Sequence, residues 1–406
     1  MARIIVENFG AIKSADINIK KYNFYIGETS SGKSTMAKLI TIFNSSPFYA
    51  IKDGDFKSFF KLLDQYNIGF KFAPSTIINY ENGNYSWYIS NNIFRTNNQD
   101  ADLMGKSDDF IEYFIRTKEN NKKFDAFIKS LKTILKDQED IKKDKNFVSM
   151  LKGIIEDSLY NNNLPIYIPA ERLLISTFTN NIFTLLQSGA SIPECIKEFG
   201  RLYENARVKS KNLDIDILDI KVEFSKDEDK IIINQDNAEI KFSQASSGIQ
   251  TLIPLWTVLN EHISDEMKQI IVIEEPELNL YPSSQCSLIE WIMRKLRKSA
   301  GSIIVLTTHS PYVLSTIDNL VYAQEIIEKS AGNINVIKKI NKLIPSKALI
   351  RFDEVSSSFF DSDGMVTDIR DEEMSLIGSQ KIDGASNRLN YIFDELSKIE
   401  DELQLL

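Results

Sequence analysis

The chemistry in this chain is concentrated in a few short runs of residues. Gly27-Glu28-Thr29-Ser30-Ser31-Gly32-Lys33-Ser34 places two glycines around four variable residues and follows the second with a lysine and a hydroxyl. Glycines at those places let backbone N–H groups converge on phosphate oxygens, and a helix starting at Lys33 adds the favourable charge of its N-terminus. In such a loop Lys33 reaches the outer phosphates of a nucleotide and the Ser34 hydroxyl sits on Mg²⁺. Thr35, next along, completes the candidate ligands of this loop.

A second run, Gln269-Ile270-Ile271-Val272-Ile273-Glu274-Glu275-Pro276-Glu277, is an apolar strand that ends in paired carboxylates. Neighbouring residues at a strand end point to opposite sides, so the two acids can divide their labour. Glu274 is the candidate holder of the Mg²⁺ water shell, and Glu275 the candidate base that polarises an attacking water. One strand later, Ile303-Ile304-Val305-Leu306-Thr307-Thr308 runs into His309-Ser310-Pro311. An imidazole there can hydrogen-bond a terminal phosphate or the attacking water. Ala245-Ser246-Ser247-Gly248-Ile249-Gln250 opens a helix with Leu252, Ile253, Trp256 and Leu259 on its apolar face. Ser246 reads either as a plain N-cap or, with Ser247, Gly248 and the helix dipole, as a second phosphate-binding surface. In the second reading it serves a nucleotide held by another copy of the chain.

These residues need elements to position them. Arg3 to Phe9 alternates toward a turn at Gly10, Ala15 to Ile19 follows, and Tyr22 to Ile26 is an apolar run leading into the glycine loop. Met36, Ala37, Leu39, Ile40 and Phe43 then fall on one helical face, giving strand, loop and helix. The pattern predicts a hairpin of 76–80 and 85–89 around Asn82-Gly83. It predicts strand character again at 164–169, a helical stretch at about 175–210, and three short strands between Ile215 and Phe242. A helix at about 248–263, a strand at 269–273, a helix at 283–298 and a strand at 302–307 follow. Strands alternating with helices predict an α/β fold with a largely parallel sheet covered on both faces.

Composition narrows the remainder. The 406 residues are 43% hydrophobic and 26% charged, as in an ordinary globular protein, and no stretch approaches the ~20 apolar residues of a membrane span. No secretory leader pattern is read at the start, and two cysteines, Cys195 and Cys286, support no disulfide framework, which fits the cytoplasm. Two histidines and two cysteines also argue against a Cys/His zinc site. Fourteen acidic and five basic residues lie between Arg351 and Leu406, which accounts for the whole net charge of −9. The Lys-rich stretch 101–150 balances 11 basic against 10 acidic residues and reads as a solvated helical face rather than a nucleic-acid-gripping arm. Leu389, Ile392, Phe393, Leu396, Ile399 and Leu403 form an amphipathic helical face from about Ser386, either packed on its own domain or used to dock a partner.

The ordered set of phosphate loop, Ser-Ser-Gly helix start, Glu-Glu-Pro-Glu strand and Thr-His-Ser-Pro segment resembles the ABC-type ATPases of the OLD/AAA-21 (AAA-15) class, relatives of RecF and SMC heads. The segments Ile168-Pro169-Ala170-Glu171-Arg172 and Asp363 to Leu396 also resemble stand-alone ATPases of bacterial anti-phage operons, of the Septu, PARIS and retron-linked kinds. The resemblance implies an ABC-ATPase head of P-loop NTPase type, with a mixed, largely parallel sheet and an α-helical insertion between phosphate loop and signature. It implies ATP and Mg²⁺ as cofactors and a head-to-tail homodimer in which Ser246 or Ser247 of one chain completes the ATP site on Lys33 of the other. Thr29 stands where that group usually has Asn, Glu274 where many ABC proteins have Asp, and A-S-S-G-I-Q where many have L-S-G-G-Q.

On this reading residues 1–44 and 211–345 form the ATPase head. Residues 45–210 are an insertion that returns to the head near 164–172, and 346–406 are an acidic C-terminal segment. The nuclease domain that some relatives append needs a downstream Asp-x-Asp. The one present, Asp361-Ser362-Asp363 before Gly364, reads as a turn between strands. The expected function is an ATP-hydrolysing, ATP-gated switch over a separate effector, in phage defence. The alternative is a DNA-binding repair or clamp ATPase of RecF type.

Overall fold

The computed structural model describes residues 2–97, 165–178, 192–225, 229–263, 269–297 and 301–378. The helical region expected within 108–160 and the amphipathic segment from 386 lie outside the described residues. At the centre is a six-stranded sheet in the order β15-β14-β3-β13-β12-β7. Its strands are β3 (Tyr22–Gly27), β7 (Ile166–Ile168), β12 (Ile270–Glu274), β13 (Ile303–Thr308), β14 (Val355–Phe360) and β15 (Val366–Asp368). All neighbours are parallel except β14 and β15. The α/β class expected from the sequence is the class found.

Alternation along each central strand serves two cores. Phe24, Ile26, Ile271, Ile273, Ile304 and Leu306 face one cluster of buried residues, while Tyr25, Val272, Val305 and Phe360 face the other. That double burial is why these strands read as continuous apolar runs. On the second face lies α1 (Lys33–Phe43), whose Met36, Ala37, Leu39 and Ile40 are fully buried. Above α1 closes a five-stranded antiparallel sheet, β2-β1-β4-β5-β6, built from β1 (Ala2–Phe9), β2 (Ile12–Ile19), β4 (Ile77–Asn82), β5 (Tyr85–Ser90) and β6 (Ile93–Thr96). The predicted hairpin is present with a two-residue loop, Gly83-Asn84, and β4 pairs with β1, so it continues the sheet of the N-terminal strands. Phe43, Phe48, Phe59, Tyr80 and Trp87 interlock beneath it.

The first face carries α3 (Glu194–Lys209), α4 (Ser247–His262), α5 (Pro282–Leu296) and α6 (Pro311–Lys329), where α2 is Phe56–Gln65 on the other side. Trp256 of α4 stacks on Trp291 of α5 with ring centroids 3.6 Å apart, which locks the two helices together. A four-stranded antiparallel sheet of β8 (Asn212–Ile215), β9 (Ile220–Glu223), β10 (Lys230–Ile233) and β11 (Ala238–Lys241), in the order β11-β10-β9-β8, joins the same core through Leu213, Ile215, Val222 and Ile231. Three strands were expected there. The fourth, β8, is only four residues long and follows directly on α3. Among the described residues no helix is long and apolar enough to cross a membrane.

Candidate ATP site

The site forms where parallel strands end, the place at which open α/β sheets bind ligands. Strand β3 ends on Gly27, whose φ is 151° and whose α-carbon lies so close to the Phe360 carbonyl that no side chain fits. The loop then turns through Ser30 at φ 63° and Gly32 at φ 102°, both left-handed. A Cβ on Gly32 would stand 2.6 Å from Ile12 Cγ1. Ser31 closes the loop on itself, its hydroxyl donating to Glu28 O at 2.7 Å. Lys33 is buried at the first residue of α1; its Nζ donates to Gly27 O at 2.8 Å and to Glu28 O. Burial lowers the Lys33 pKa, opposed by Glu275, Glu277 and Glu274 nearby. Thr29, Ser30 and Ser34 are exposed, and Thr35 is buried in the first turn.

Strand alternation sends Glu274 to the α1 face of the sheet, the face that also receives Val272. It is 3% exposed and its Oε1 has no hydrogen-bond partner. Burial raises its pKa, and Lys38, the Tyr167 hydroxyl and Ser34 pull the other way. An orphaned carboxylate oxygen beside a phosphate loop fits a divalent cation. Mg²⁺ takes one or two protein oxygens together with waters and phosphates. Among the described residues no group of three or more His, Cys, Asp and Glu side chains gathers to hold a metal by itself. Ser34 and Glu274 are therefore the donors that fit.

Glu275 leaves the strand. Its φ is 42°, a left-handed backbone uncommon for glutamate, and its N–H donates to Thr307 O at 3.0 Å. This turn brings its carboxylate 3.4 Å from His309 Nδ1, with side-chain exposures of 24% and 46%. The pair shifts both members: the hydrogen bond to His309 lowers Glu275, and that to Glu275 raises His309.

Three residues without a role in the sequence reading complete the site. Glu277 is buried and accepts from Thr308 Oγ1 at 2.5 Å and from His309 N at 3.3 Å, so it fixes the loop that carries the imidazole. Burial raises its pKa, against those hydrogen bonds. Ser310 caps α6, accepting from Val313 N, and donates to Gln285 Oε1 at 2.6 Å, while Gln285 donates to Leu280 O. Arg172, 1% exposed, donates to Pro169 O, Glu274 O and Glu275 O at 2.8, 2.6 and 2.7 Å. Burial lowers its pKa to about 10, opposed by Glu277, Glu274 and Glu275, so it stays charged at neutral pH. Only the third carboxylate of Glu-Glu-Pro-Glu was visible as a pattern. The roles of Thr308 and Arg172 depend on neighbours far away in the chain.

Ser246 and Ser247 are exposed at the start of α4. Ser246 holds the N-cap position without a side-chain capping hydrogen bond, so the plain N-cap reading is not what the geometry shows. Gly248 is buried against Asn279 O, 2.6 Å from where a Cβ would stand, and Thr251 Oγ1 donates to Leu278 O. The helix start is thus bound to the segment after β12. Among the described residues no hydrogen bond links Ser246 or Ser247 to Gly27–Ser34.

The glycine loop and the carboxylates at the strand ends are an arrangement that can bind ATP. Residues 154–314 match the family model described as an AAA ATPase domain, AAA_15. That stretch holds Glu274, Glu275 and His309 and begins after Lys33. No curated protein matches the chain. Among solved structures, the SMC head domain from Thermotoga maritima is 11% identical, covering 77% of this chain and 90% of that one, with a TM-score of 0.35. The SMC head bound to the C-winged helix domain of ScpA is 8% identical, covering 78% and 91%, also with a TM-score of 0.35.

Proposed function

We propose that this chain is an ATP-gated switch of the ABC type, working as a head-to-tail pair. The observation that carries this is the exposed start of α4, which has no side-chain capping hydrogen bond and, among the described residues, no hydrogen bond to the chain's own phosphate loop. A helix N-terminus with two exposed hydroxyls suits a terminal phosphate presented by a second copy. Gly27, Thr29, Ser30, Ser31, Gly32, Lys33, Ser34 and Thr35 would hold ATP on one copy. Ser246, Ser247 and Gly248 of the other would cover it.

Within each site the chain's own groups divide the work. Lys33, now turned onto the carbonyls of Gly27 and Glu28, would swing to the outer phosphates. Bound Mg²⁺ would neutralise charge on those phosphates, and Ser34 and Glu274 would hold it. Glu275, ionised and oriented by His309, would accept hydrogen bonds from the attacking water. Hydrolysis then removes the phosphate that joins the two copies, and the pair loosens.

The output is proposed to be control of a separate effector in anti-phage defence. What supports this is the resemblance of Ile168-Pro169-Ala170-Glu171-Arg172 to stand-alone ATPases of bacterial anti-phage operons. The Asp361 carboxylate accepts from Asp363 N and Met365 N and so shapes the β14–β15 turn. Glu275→Gln tests the core of the proposal. It should bind ATP, hydrolyse it ~10²–10⁴-fold more slowly, and sediment as a dimer when ATP and Mg²⁺ are present. A variant that stays monomeric at every concentration would sink the pairing.

A further inference from the structure

The backbone at the end of β12 poses a problem that one buried side chain solves. Glu275 is held at φ 42°, and a glutamate in that region persists only where its surroundings over-determine it. On one side Thr307 O takes its N–H. On the other side the β7–β12 ladder stops: Ile166, Tyr167 and Ile168 pair with Ile271, Val272 and Ile273, and no further. The next two carbonyls, that of Glu274 at the end of β12 and that of Glu275 just beyond it, are taken by the two terminal nitrogens of Arg172. The guanidinium therefore carries the ladder on past its last strand pair, anchored to Pro169 O behind it.

We propose that Arg172 is a positioning residue for hydrolysis, holding Glu275 in its left-handed turn so that the carboxylate stays beside His309. Among the described residues it makes no hydrogen bond to the phosphate loop or to the imidazole. Its effect passes through the backbone of the acid it holds. A planar fork with two parallel donors suits two successive carbonyls, and the single ammonium of lysine does not. Its charge, buried among Glu277, Glu274 and Glu275, also keeps three close carboxylates together.

The proposal rests on the ATPase reading above and can fail separately from it. The test is single-turnover hydrolysis and equilibrium ATP binding for Arg172→Lys, alone and on the Glu275→Gln background. We expect Arg172→Lys to lower the hydrolysis rate by about 10- to 100-fold while ATP affinity stays within about 3-fold, because only the geometry of the base is lost. On the Glu275→Gln background the same change should cost nothing further, since the group it positions is already gone. A simple loss of folding would reduce binding capacity and lower both backgrounds alike. If Arg172→Lys does not fold, Arg172→Gln, with an amide for one of the two carbonyls, is read in the same way. An unaltered rate, or equal losses on both backgrounds, overturns the proposal. If the unsubstituted protein does not hydrolyse ATP, the ATPase reading falls. If it does, and only Glu275→Gln is impaired, Arg172 alone is ruled out.

Discussion

Glu275 and His309 each change how readily the other titrates, and that can be observed directly because the chain has only two histidines. His309 is raised from the ordinary 6.5, first by its hydrogen bond to Glu275. His262 is lowered from the same value by burial, beside Leu202 O. Two imidazole signals followed by NMR across pH should separate, His309 titrating above 6.5 and His262 below. The sign follows from linkage: a raised histidine stabilises the fold fully below its ordinary value, and that contribution is lost as pH climbs through its higher folded value. Glu275→Gln should bring the His309 curve back toward 6.5 and leave His262 in place. Coincident curves would mean the pair does not form. At this scale the sequence was legible wherever a residue type is forced by backbone geometry or charge, as at Gly27, Gly32, Lys33 and Glu274. Glu277 and Arg172 were not, because a buried acid or guanidinium takes its meaning from partners such as Thr308 and Pro169 that only the folded chain supplies.

Among the elements, those with strong periodicity came out within a residue or two of the predicted bounds: α4, β12, α5 and β13 all did. Strand β14 was harder to see. Its Ser356-Ser357-Ser358 core is buried yet carries no apolar signal, although it lies parallel to β3 for its whole length. The turn that follows has a measurable job. Gly364 has φ 82°, a Cβ added there would stand 2.3 Å from Ala11 O and 3.0 Å from Lys13 N, and its carbonyl accepts from Lys13 N at 2.8 Å. Gly364→Ala should therefore push the β14–β15 turn off the β1–β2 turn and lower unfolding free energy by about 1–3 kcal/mol, from strain and overpacking together. Denaturant titration reads this. An unshifted midpoint would show that the two turns are not tightly seated.

For the whole molecule, the proposed pairing makes a demand that no single-chain site makes. A Lys33→Ala chain lacks its phosphate grip but keeps its helix start. A Ser246→Arg, Ser247→Arg chain has the opposite defect. Each alone should be inactive. Mixed in equal amounts, they should recover about a quarter of the normal rate, since random pairing gives half mixed dimers with one working site each. No recovery on mixing would place both sets of residues in one chain's site.

The neighbours of β3 in the central sheet have a consequence for how the protein is made. Strand β3 leaves the ribosome well before both strands that flank it, β13 and β14, which are encoded far downstream. At ~5–20 residues per second the glycine loop must wait on the order of 15–60 s for the Phe360 carbonyl that closes over Gly27. During that interval an apolar strand has two open edges, which invites help from chaperones. A message cut short between the codons for His309 and Val355 would yield a chain with every candidate nucleotide-binding residue and an unfinished sheet to hold them.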